Sequence, residues 1–142
     1  MNALEMVVSA AQGYPYFLQQ WGYHLWNSAP GSPITVDDVK AVHPAVVDQL
    51  DRNFFLVRFE RLTPKEREYL RAMSHLGSGP HRSGEVADCL GVKVQSMGPR
   101  RSALITKGMI YAPAHGDTAF TVPLFDEFLK RKMPDWEPPT RA

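Results

Sequence analysis

The chain has 142 residues, 44% of them hydrophobic and 22% charged, the balance of a soluble globular protein long enough for one domain or two small ones. No apolar run approaches the ~18 residues that span a membrane, and a single cysteine excludes an internal disulfide. The net charge of +1 is uneven: residues 1–60 carry three basic against six acidic groups, and residues 61–142 hold the other thirteen basic against nine acidic, so the second part mildly favours a polyanion.

The N-terminal stretch MNALEMVVSAAQG carries Glu5 and no early Lys or Arg, unlike a signal peptide, and with Cys89 as a lone thiol the expected compartment is the cytoplasm. Gly13-Tyr14-Pro15 ends one helix and opens the next, because proline fits the first helical position. From Pro15 to Asn27, Phe17, Leu18, Trp21 and Leu25 recur at helical spacing. After the breaker APGSP, Thr35 is a cap with Asp38 as an imperfect capping box. Val39, Val42, Val46, Leu50 and Phe54 continue an apolar stripe, which Pro44 is expected to split into two helices.

A new start comes after Leu62. Thr63, Pro64 and Glu66 supply a cap, a first-turn proline and the third-position acid of a complete capping box. Tyr69, Leu70, Met73 and Leu76 then form one face before Gly77. Ser83 is expected to cap the short helix GEVADCL, with Val86, Ala87 and Leu90 inward and Gly91 closing it in the left-handed conformation. A third helix begins near Pro99. IYAPAHGDTAFTVP reads as two short strands about a His115-Gly116-Asp117 turn, and Pro123 opens a last helix through about Lys132.

This order predicts a mainly α protein: a helical subdomain over 1–60, a winged helix-turn-helix with a small β-hairpin wing over 61–133, and a tail over 134–142. A plain helical bundle with a terminal hairpin is the alternative. Advancing ~100° per residue along the third helix, Leu104 and Ile105 face inward with Met97 beside them. Arg101 leans toward the core, where it either pairs with a carboxylate such as Asp88 or Asp117 or serves DNA. Gln95, Pro99, Ser102, Ala103 and Thr106 point outward with Arg100 and Lys107 on a flank. The candidate DNA contacts are Gln95, Ser96 and Arg100 at the groove, with Lys93, Lys107 and His115 along its margins. Few of these can read a base edge bidentately, so binding should be weak and sequence-tolerant, with roughly three to five phosphates and a log–log salt slope of about −3 to −4.

Gly13–Trp26 (GYPYFLQQWGYHLW), ITVDDV at Ile34–Val39, LTPKEREYLRAM at Leu62–Met73 and LITKGMIY at Leu104–Tyr111 together resemble the C-terminal portion of bacterial P-loop ATPases of the AAA-like and STAND-like group. The resemblance covers about residues 3–133. It implies a helical lid followed by a winged-helix domain, in which a Gly-x-Pro signature, here Gly13, Tyr14 and Pro15, contacts bound nucleotide; a plain helix junction is the other reading of those three residues. The chain departs from the group in having no phosphate loop G-x-x-x-x-G-K-[ST] and no strand with a terminal acid for magnesium before the lid. No enzymatic activity and no cofactor are therefore expected of this chain alone. ATP enters only if an ATPase core is supplied elsewhere, and nucleotide affinity should be at best about millimolar.

Five scattered histidines have no i, i+4 pair and no second cysteine, so no zinc site is expected. Cys89 in a short packed helix reads as a small buried hydrophobe. Tyr14, Phe17, Trp21 and Trp26 read as core rather than as an adenine-stacking wall. Phe54-Phe55 reads as a packing edge between subdomains, and Lys130-Arg131-Lys132 as charge suited to a helix C-terminus. Two function classes remain: a module that binds double-stranded DNA, with an ATPase core as a possible partner, or a protein-interaction or autoregulatory module.

Overall fold

Three of the helices begin at side chains that satisfy their own first turn. In the structure, a computed structural model that describes residues 1–139, Asn2 with Glu5, Thr35 with Asp38 and Thr63 with Glu66 each form a reciprocal capping box. Each box occupies two backbone N–H groups that a helix start otherwise leaves open. The chain divides into two compact units, the first over Met1–Arg58 and the second from Phe59 onward.

The first unit is helical. It contains α1 (Ala3–Ala11), α2 (Pro15–Ser28), α3 (Val36–Leu50), a π-helical turn over Asp51–Phe55 and the start of α4 (Leu56–Glu60). Gln12 and Gly13 adopt left-handed backbone, with Gly13 at φ +68°, which reverses the chain so that Pro15 can open α2. The core is aromatic and aliphatic: Phe17, Trp21 and Leu25 from α2 meet Val39, Val42, Val46 and Leu50 from α3. The π turn widens the helix by one residue, so both Phe54 and Phe55 turn inward, 5.2 and 5.6 Å from the Phe17 ring. A polar clasp runs beside this core, with His24 Nε2 on Gln49 Oε1, and Gln49 Nε2 donating to Gln20 Oε1 at 2.9 Å.

Two expectations for this unit fail. Pro44 does not split α3, which runs unbroken from Val36 to Leu50. Lys40 and Pro44 are both exposed, so the carbonyl that loses its helical donor at Lys40 is on the solvent side, while the opposite face is held by four buried aliphatic side chains. Trp26 is not core: it is 84% exposed, and Tyr23 is 61% exposed.

The second unit holds α5 (Pro64–His75), β1 (His81–Arg82), α6 (Ser83–Leu90), a 3₁₀ turn (Val94–Met97), α7 (Gly98–Thr106), β2 (Ile110–Tyr111), β3 (Asp117–Phe120) and α8 (Phe125–Lys132). The three short strands form an antiparallel sheet in the order β1–β3–β2, with His81 opposite Thr118 and Ile110 opposite Phe120. Tyr69, Leu70, Met73, Val86, Met97, Leu104, Phe125 and Leu129 are fully or almost fully buried within this unit. The described chain is thus mainly helical with one small sheet. No helix among the described residues is long and apolar enough to cross a membrane.

Three local expectations are corrected here, and β1, of two residues, stands where no element was predicted. Arg82, not Ser83, stands at the N-cap of α6, and it makes no side-chain cap. Ser83 instead donates from its N–H and Oγ to the Gly116 carbonyl, at 2.9 and 3.1 Å. Leu76 and Ile105 are exposed, at 37% and 39%, because the first lies past the end of α5 and the second lies beside Leu104, which takes the core position. The last helix starts at Phe125 rather than Pro123, because Leu124 takes left-handed backbone and brings Phe125 into the core. The tail expected over 134–142 is described as far as Pro139; Thr140, Arg141 and Ala142 lie outside the described residues.

Replacing Pro44 tests how α3 carries its interior proline. Pro44→Ala is expected to stabilise the first unit by about 1–2 kcal/mol, the regained hydrogen bond and helix propensity less the added freedom of the unfolded chain. Chemical denaturation followed by circular dichroism checks this, and an unchanged or lower midpoint would contradict it.

Candidate nucleic-acid interface

The stretch from Lys93 to Lys107 folds as a 3₁₀ turn running directly into α7. Gly98 and Pro99 stand at the first two positions of α7, where the missing proline N–H costs nothing. Met97 and Leu104 are buried and anchor the segment from below. Lys93, Gln95 and Ser96 are exposed and Arg100 is half-buried. Ser96 Oγ donates to the Lys93 carbonyl at 2.7 Å, which ties the turn to itself. Ala103, expected outward, is half-buried.

Arg101 is half-buried, as its helical phase implies, but its contact with Asp117 is to the main chain. Its Nη2 donates to the Asp117 carbonyl at 3.1 Å, and its Nε is buried without a partner. Beneath it the Tyr69 hydroxyl faces Thr118 and Ser83 without closing a hydrogen bond to either. Burial pushes the Tyr69 phenol above its ordinary range, opposed by the Arg101 charge. Arg101 thus joins α7 to the base of the β2–β3 turn.

Lys107 is engaged elsewhere. Its ammonium donates to Glu66 Oε1 at 2.6 Å and to the Arg61 carbonyl at 3.1 Å. The same Glu66 oxygen accepts from the Thr63 N–H at 2.9 Å. Burial works to raise the Glu66 carboxyl, but the hydrogen bonds and charge of Lys107 and Thr63 outweigh it and hold the group below its ordinary value. His115 is exposed in the turn before Gly116, whose φ of +81° suits glycine.

Arg82 went unnoticed in the sequence because a two-residue strand gives no periodic signal. It is exposed and stands opposite Asp117 in the sheet, beside the turn that carries His115. Among the described residues, the side chains of Arg82, Lys93 and Arg100 have no hydrogen bond or ion pair. Gly13, Tyr14 and Pro15 lie at the α1–α2 junction, with the Tyr14 ring 4.6 Å from Phe17 and 6.1 Å from Phe54, so Tyr14 belongs to the aromatic core of the first unit. Among the described residues no three His, Cys, Asp or Glu side chains are grouped to hold a metal ion.

A family model described as a domain of unknown function matches residues 52–129, more than half of the chain. The chain belongs to the DUF8462 family. The DUF8462 segment contains Arg82 and the six candidate contacts Lys93, Gln95, Ser96, Arg100, Lys107 and His115, and excludes Gly13–Pro15. No curated protein and no solved structure matches the chain.

Breaking the Lys107–Glu66 pair should be felt in stability. A depressed folded-state carboxyl contributes stability that is present above the unfolded value and lost as pH falls through the folded one. Lys107→Met is expected to cost about 1–3 kcal/mol at neutral pH, below the range for fully buried pairs because Lys107 is partly exposed. It should also weaken the acid dependence, since only the Thr63 hydrogen bonds then oppose the burial that raises the Glu66 carboxyl. Denaturation midpoints at neutral and acid pH check both effects; equal losses at the two pH values would refute the assignment.

Proposed function

We propose that the second unit is a winged helix-turn-helix that binds duplex DNA mainly through phosphates, with little sequence preference. The order helix, strand, helix, helix, strand, strand and the sheet order β1–β3–β2 support the winged-helix reading. The observation that carries the DNA reading is the set of three unpaired basic side chains, Arg82, Lys93 and Arg100, with exposed Gln95 and Ser96 across the entry to α7. Lys107 is spent on Glu66, so it adds no free charge. A partner core supplying a phosphate loop is part of the proposal only where nucleotide is concerned: Gly13, Tyr14 and Pro15 would touch ATP against such a core, and this chain alone hydrolyses none.

A second reading, a protein-docking module, is favoured by Val94, Ile105 and Tyr111, which are 43%, 39% and 49% exposed around the same segment. Salt separates the two. Two to three neutralised phosphates give a log–log slope of about −2 to −3 at ~0.9 per phosphate. Anisotropy titrations with random duplex should show that slope. Arg100→Ala and Arg82→Ala should each lower it by about one unit for all sequences alike. A flat salt response, or binding unchanged in the Arg82→Ala/Arg100→Ala double variant, would leave the docking reading.

The ATPase expectation has its own measurement. The purified chain should show no magnesium-dependent phosphate release above buffer, because nothing in its sequence replaces the amides and lysine of a phosphate loop. Turnover that follows the protein through successive columns would overturn this.

A further inference from the structure

The segment after α8 does not leave the second unit. The Met133 carbonyl accepts a hydrogen bond from Arg71 Nε at 3.1 Å. Trp136 then lies over the Arg71 guanidinium, 5.1 Å from its ring centre, and edge-on to the His75 ring at 5.8 Å. Beyond it, Pro138 and Pro139 form one side of a cleft of about 590 Å³, whose other side is His75 and Leu76 from the end of α5 with Glu85, Asp88 and Cys89 from α6.

Arg71 makes this arrangement specific. It is only 7% exposed, and it is fixed by a second bond from Nη1 to Ser74 Oγ at 3.1 Å. A buried guanidinium needs acceptors, and here the tail supplies a main-chain carbonyl and an aromatic face. These contacts combine main-chain capture, an aromatic anchor held between a cation and a ring, and a diproline that favours extended polyproline backbone. The combination is that of a peptide in a recognition groove.

We propose that the α5–α6 groove is a peptide-binding site for an aromatic–diproline segment, occupied in cis by the chain's own residues 133–139. The tether holds the segment at the groove at high effective concentration, with Pro138 and Pro139 walling the cleft that remains beside Cys89. A competing segment must carry the same chemistry: a main-chain carbonyl for Arg71, an indole for the Arg71–His75 slot and a following diproline. The proposal is independent of DNA binding.

Cys89, the only cysteine, reports on the groove in the intact chain. It is half-buried and lines the cleft with Pro138 and Pro139; burial raises its thiol above the ordinary range, opposed by Arg71, so removing that wall increases both access and thiolate fraction. Ellman's reagent should modify the Trp136→Ala chain about tenfold faster than wild type, since access follows the open population. A synthetic peptide Met-Pro-Asp-Trp-Glu-Pro-Pro at about 1–10 mM, the range a short tether supplies, should slow Trp136→Ala back toward the wild-type rate. The same peptide with Trp replaced by Ala should not. The Pro138→Gly/Pro139→Gly chain, altered only beyond the helices, should also react faster, and far-UV circular dichroism should be unchanged in both variants. Equal rates in wild type and both variants would overturn the proposal, as would a peptide that gives no protection.

Discussion

The Glu66 carboxylate, 5% exposed, is the point on which the second unit turns. It closes the capping box at the start of α5 by accepting from Thr63, and with the same oxygen it holds the Lys107 ammonium just past the end of α7. Lys107 in turn takes the Arg61 carbonyl. A buried carboxylate is tolerable only when its acceptors are used. Here the requirement binds the entry to one helix to the exit of another, 41 residues later in sequence. α7 is therefore gripped at its far end by an ion pair and along its length by Leu104, while the Arg101 guanidinium ties it to the base of the β2–β3 turn.

What could be read from the sequence followed locality. Capping boxes depend on residues three apart, and Thr35, Thr63 and their acids announce them. Helical stripes such as Val39–Val42–Val46–Leu50 show as a period, and Gly91 is an explicit stop. The failures share another cause. Pro44 looks like a breaker because propensity is a local measure, but the outcome is set by which side of the helix meets solvent. Leu76, Ile105 and Trp26 are apolar at or near inward phases, yet a phase does not say where the partner surface ends. β1 has two residues and no pattern; it exists because β3 lies beside it.

The candidate site was legible in part for the same reason. Lys93, Gln95, Ser96 and Arg100 are exposed or half-exposed because the 3₁₀ turn and first turn of α7 carry Met97 inward and little else. Lys107 was indistinguishable from them in sequence, since its partner at Glu66 is distant. The surplus positive charge of the second half is thereby divided. Part neutralises a buried acid, part lies at the end of α8, where Lys130–Lys132 complement the helix dipole, and among the described residues Arg82, Lys93 and Arg100 are left without a hydrogen bond or ion pair. A modest positive surface is what such a division leaves. The contacts between Arg71 and residues 133–139 gave no sequence signal, because Arg71 and Met133 lie 62 residues apart.

The three tryptophans have settled in three different surroundings. Trp21 is buried beside His43 in the first unit, Trp26 is open to water on the same helix, and Trp136 lies between Arg71 and His75 in the second. Indole emission shifts to the blue in apolar surroundings and is quenched by neighbouring charged and imidazole groups. The chain therefore carries its own optical markers: a blue-emitting one, dimmed by His43, for the interior of the first unit, a red-emitting one for its surface, and one dimmed by Arg71 and His75 that reports on residues 133–139. Replacing Trp26 by phenylalanine would remove the solvent signal and let the two units be followed by light alone.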